Sequence, residues 1–109
     1  MAFSQDYLEF ILEQFSEFGE VSYKKMFGGV GFYKQEIMFG GIMGGTLHFK
    51  VDDTTRPNYL TAGMSSFFEH EKNKGKAKYY EVPIDVIEDR TNLALWANQA
   101  VEVAKKSKK

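Results

Sequence analysis

The chain has 109 residues, including ten Phe, six Tyr and no Cys. It has room for a single core, and it lacks disulfides, thiolate metal sites and thiol nucleophiles altogether. Lys105, Lys106, Lys108 and Lys109 fall at the end of the sequence, so the body before them carries 15 acids against ten bases, a poor electrostatic match for a general nucleic-acid groove.

Leu8, Ile11, Leu12, Phe15 and Phe18 recur at spacings of three and four and predict an amphipathic helix over 3–18. Ser4 is placed to cap it, Phe3 and Leu8 form a hydrophobic staple, and Gly19 supplies a left-handed end. Strands are expected over 21–27, 30–33, 36–43 and 46–52. The last alternates most clearly, with Leu47, Phe49 and Val51 inward and His48, Lys50 and Asp52 toward water. Lys34-Gln35 and Gly44-Gly45 are the expected hairpin turns, and the short connections make these strands antiparallel neighbours.

Asp53-Thr54-Thr55-Arg56-Pro57 marks a helix start, capped by either Thr, for a short helix ending near Gly63. Two strands follow over 66–71 and 77–82, joined by the polar tip Lys72-Asn73-Lys74-Gly75-Lys76. Residues 84–87 form a short turn, and Asp89 or Thr91 caps a final helix to about Lys105 with Leu93, Trp96, Ala97, Ala100, Val101 and Ala104 as its stripe. Without an internal repeat or linker, the expectation is one α+β domain over 1–104 and a solvated lysine-rich tail over 105–109.

The run Met26-Phe27-Gly28-Gly29-Val30-Gly31-Phe32-Tyr33 is followed by Met38-Phe39, Leu47-His48-Phe49-Lys50-Val51-Asp52 and Thr55-Arg56-Pro57-Asn58-Tyr59. Gly63, Phe67, Lys74-Gly75-Lys76, Tyr79-Tyr80-Glu81-Val82-Pro83 and Leu95-Trp96-Ala97 complete the series. In order and spacing, this series resembles the N-terminal domain of the TfoX/Sxy competence regulators of bacteria. The resemblance implies a secretion-chaperone-like α+β fold with an antiparallel sheet: helix, three strands, helix, two strands, helix. The segment 21–27 would then be either continuous with the next strand or an extended lead-in. Full-length regulators carry a second, C-terminal domain, and the chain is expected to be the first domain alone. Gly40-Gly41-Ile42-Met43-Gly44-Gly45 is richer in glycine than the family pattern.

No catalytic constellation stands out. The glycines of 28–31 lie between strands and lack the Lys-Ser/Thr of a phosphate loop. His48 and His70 lack the further ligands of a metal site, and no Ser lies in a GxSxG context. No cofactor or metal is expected. A signal peptide and a membrane-spanning stretch are also absent from the sequence, so the expected location is the cytoplasm.

The leading expectation is a non-enzymatic interaction domain, a regulator or transcription-linked adaptor, that contacts another protein or a second copy through Phe32, Tyr33, Phe39 or Phe68. One alternative is nucleic-acid binding through Lys72, Lys74, Lys76 and Lys78 with the C-terminal lysines. Another is a small-molecule binder or enzyme with an anion site at Arg56, beside a helix start.

Overall fold

Ser4 opens the first helix as expected: its hydroxyl accepts a hydrogen bond from Tyr7 N at 3.3 Å. The computed structural model describes residues 4–26, 29–64 and 79–107. Helix α1 (Gln5–Gln14) buries Leu8 and Ile11 along its apolar stripe. Its expected last turn is looser, running as turns over 15–18 before Gly19 reverses the chain at a φ of 113°.

Four strands follow: β1 (Ser22–Met26), β2 (Gly29–Lys34), β3 (Ile37–Met43) and β4 (Thr46–Lys50). After α2 (Arg56–Thr61) comes β5 (Tyr79–Glu81), then α3 (Ile84–Ile87) and α4 (Arg90–Ser107). The five strands form one antiparallel sheet in the order β1-β2-β3-β4-β5. The fold is α+β. The segment expected over 21–27 is a strand in its own right, Ser22 to Met26 pairing with Tyr33 to Gly29, so four strands rather than three precede α2. The strand expected over 66–71 and the lysine tip lie outside the described residues.

Gly44 and Gly45 turn β3 into β4 with φ of 60° and 90°, the left-handed pair that a tight hairpin requires. The β2–β3 turn is displaced by one residue from its expected place. Lys34 still pairs with Ile37, so the turn falls on Gln35 and Glu36, with φ of 52° and 69°. Each is a non-glycine residue in a conformation that costs roughly 1–2 kcal/mol.

The pairing of β2 with β3 slips between Phe32 and Tyr33, leaving Phe39 as the extra residue of a bulge. Beside it, the backbones crowd. A Cβ at Gly41 would meet the Val30 carbonyl oxygen, and one at Gly40 the His48 carbonyl oxygen. Close backbone approach therefore explains Gly40-Gly41, and turn geometry explains Gly44-Gly45.

Rings fill the space between α1 and the sheet. Phe15 meets Phe32 at 5.4 Å, Phe39 at 5.8 Å and Phe49 at 6.3 Å between centroids. A second group joins α2 to α4 and β5, with Tyr59 at 4.7 Å from Trp96 and 6.0 Å from Tyr80. Along α4 the expected stripe is buried at Leu93, Ala97, Ala100, Val101 and Ala104. Its N-terminus is capped by Asp89, whose carboxylate accepts from Asn92 N at 3.2 Å.

One buried polar side chain ties the two ends together. Gln14 Nε2 donates to the Ile87 carbonyl at 2.8 Å, and Arg90 Nε donates to Gln14 Oε1 at 3.1 Å. Thr91 Oγ1 adds a bond to Glu17 at 2.9 Å.

Candidate interaction surface

Strand pairing sorts the predicted contact residues onto two faces. Tyr23, Phe32, Gly40, Phe49 and Tyr80 form one row across the sheet. Phe15 packs against Phe32 and Phe49 in that row, which makes this the core face. Lys24, Gly31, Gly41, His48 and Glu81 form the adjacent row, so they belong to the other face.

Phe32 and Phe39 are both fully buried, with no exposed surface. This corrects the expectation that they offer an interface. Strict alternation would send one of two residues so placed outward, but the bulge lets Phe39 turn inward with Phe32. It packs on Phe15, Phe18 and Phe49. Tyr33 is half-buried on the opposite face. Burial raises the nearby Tyr79 phenol above its ordinary pKa, and Tyr33 adds to that shift. Phe68 lies outside the described residues.

Arg56 is already engaged. Its Nη1 lies 2.6 Å from Asp53 Oδ1, and Asp53 holds the guanidinium more firmly protonated than usual. Thr55 is the N-cap residue of α2 but makes no side-chain cap bond. The corner before it is closed by Asp52 instead, whose Oδ1 accepts from the Thr54 hydroxyl at 2.6 Å and from Thr54 N at 2.9 Å. The Thr54 hydroxyl bond, aided by the Thr54 and Thr55 amides, lowers the Asp52 pKa. An incoming anion at Arg56 would compete with a carboxylate already bound at Nη1. Lys72, Lys74, Lys76 and Lys78 lie outside the described residues.

His48 differs from its expected place in water: only 5% of it is exposed. Its Nδ1 lies 3.0 Å from the Thr46 carbonyl. A carbonyl can only accept, so Nδ1 carries the proton in this contact. Burial lowers the His48 pKa, with the Thr46 carbonyl and Glu81 opposing that shift. Among the described residues, no group of three or more His, Cys, Asp or Glu could hold a metal ion. Among them, too, no helix is long and apolar enough to cross a membrane.

Consecutive exposed side chains mark one edge of the sheet. Ser22, Tyr23, Lys24 and Lys25 of β1 are all exposed, Tyr23 by 42%. Neither lysine forms an ion pair among the described residues. At the start of this strand, a cleft of about 410 Å³ is lined by Glu20, Val21, Ser22, Tyr33, Lys34 and Gln35. Lys34 anchors its wall, with Nζ donating to the Phe18 carbonyl at 3.0 Å and lying 4.3 Å from the centre of the Phe18 ring. A Cβ at Gly19 would come within 2.9 Å of that nitrogen.

Sequence reasoning missed this edge, because the order of strands in a sheet is not a local pattern. It also missed Gln14, although Gln14 stands three residues after Ile11, at a stripe position of the helix.

A meander sheet packed by its first and last helices defines a small α+β domain. The TfoX N-terminal domain matches residues 13–104, and the chain belongs to that family, a regulatory family associated with competence. No curated protein matches the chain.

Proposed function

We propose that this domain is a non-enzymatic interaction module, a regulator or adaptor of the competence type, that acts in the cytoplasm by binding another protein. The family match over 13–104 carries the reading. Its support on the surface is a set of large apolar side chains left outside the core: Phe10, Tyr23, Leu60, Ile84 and Leu95. Scattered apolar residues are ordinary, so Tyr23, beside a cleft and two lysines on an open edge, has the most weight.

Affinity capture with the tagged chain from its native host tests the proposal, scoring protein and nucleic acid together. The expected result is a protein retained after nuclease treatment. Recovery of nucleic acid alone, lost with rising salt, would replace this reading with the lysine-based alternative. Sedimentation of the purified chain decides separately whether the partner is a second copy.

A further inference from the structure

The edge of the sheet specifies a kind of partner. Resting on the interaction reading above, we infer that β1 binds an extended, acidic segment of another protein as an added sixth strand, with the cleft at Glu20–Ser22 receiving one of its side chains.

An edge strand presents backbone N–H and C=O groups along its free side, and an extended peptide can satisfy them. Among the described residues β1 is such an edge, five residues long and paired on one side with β2. Lysines on an edge oppose casual pairing, and they do so selectively. A second copy aligned antiparallel over the whole strand would centre on Lys24 and set that ammonium against its own counterpart, an arrangement that destabilises a ladder. A strand carrying carboxylates at those positions turns the repulsion into attraction.

The order of side chains along β1 makes the requirement more specific. Lys25 and Tyr23 lie on the core side of the sheet, and Lys24 and Ser22 on the other. An antiparallel partner therefore meets Lys25, Lys24, Tyr23 and Ser22 in turn. Two consecutive acids would face the lysines on opposite sides of the sheet, and an apolar residue would then cover half-exposed Tyr23. The next residue reaches Ser22 and the mouth of the cleft, where Tyr33 and Gln35 offer polar contacts. Backbone bonding supplies affinity and the acid-acid-apolar order supplies selectivity.

The test is a fluorescence-anisotropy titration of the full chain with a labelled peptide, Thr-Val-Glu-Glu-Val-Thr-Val, and its control with both Glu replaced by Lys. The acidic peptide should bind at least about tenfold more tightly than the control, and more weakly as salt rises. The double variant Lys24→Glu/Lys25→Glu should invert that preference, with its thermal unfolding unchanged as a check on folding. Amide NMR shifts should concentrate in Ser22–Lys25 and Tyr33–Gln35. The assignment is overturned if the chain does not bind the acidic peptide, if it binds both peptides equally, if the double variant behaves as the parent, or if the shifts lie on α4. It also falls if the parent self-associates through β1. Capture with the double variant separates the two proposals. A protein still retained by Lys24→Glu/Lys25→Glu leaves the interaction reading standing and removes the edge from it. Selective peptide binding without any captured protein leaves the acidic-strand preference of β1 standing and removes the host protein partner from the proposed function.

Discussion

Two neighbouring strands of this sheet are stabilised by opposite means. Phe32 on β2 is fully buried against Phe15, while Tyr23, its direct partner on β1, is 42% exposed. The interior is over-determined: each ring touches others, and the backbones at Gly40 and Gly41 leave no room for a Cβ. The outer strand, among the described residues, pairs on one side and carries a lysine on each face. A position in the first region is constrained by shape, and one in the second by the charge and hydrogen bonding of what approaches.

The contrast is strongest at its two aromatic poles. Phe15→Ala should cost about 3–5 kcal/mol in urea unfolding, because it empties the centre of a five-ring cluster. Tyr23→Ala should cost less than about 1 kcal/mol in the same assay. Comparable losses at both sites would abolish the distinction. Gly41→Ala tests the crowding: the added methyl meets the Val30 carbonyl oxygen, and overpacking of this kind costs about 1–3 kcal/mol. A variant as stable as the parent would mean that the strands separate at little cost.

The smallest effect concerns His48. Its lowered pKa, caused mainly by burial, means that the folded chain takes up a proton less readily than the unfolded one. Stability should therefore be full above about pH 6.5, the ordinary histidine value, and should fall as the pH drops below it toward the folded value. His48→Gln should flatten urea midpoints across that window. Asp52 contributes in the same direction at lower pH: its depressed pKa gives stability that is present above its unfolded value and lost as the pH falls through its folded value. An unchanged pH profile in His48→Gln would remove histidine as the source.

Much of the fold was legible because its signals are local. The stripes of α1 and α4, the alternation around Leu47 and Phe49, and the Gly44-Gly45 turn each follow from residues close in sequence. What escaped depends on neighbours that the sequence does not name. Alternation gives Phe39 a face only until a bulge inserts it inward, and it gives His48 a face without saying how deeply that face is buried. Neither Gln35 nor Glu36 favours a positive φ, so pairing of Lys34 with Ile37, rather than residue preference, sets that turn. Thr55 holds the N-cap position of α2 without a side-chain cap bond, and Asp52 closes the turn before the helix because its carboxylate reaches the Thr54 amide and hydroxyl together. The candidate edge became visible only with the strand order.

The bond from Gln14 to Ile87 spans 73 positions of the chain, and that from Arg90 to Gln14 spans 76. On a ribosome, the first four strands can form hairpins as they emerge, since each pairs with the strand just made. Helix α1 cannot complete its own contacts until α3 and α4 have been synthesised. From the completion of β4 until then, the part of β3 and β4 that α4 will cover stays open, a hydrophobic surface for chaperones to shield until the last helix arrives.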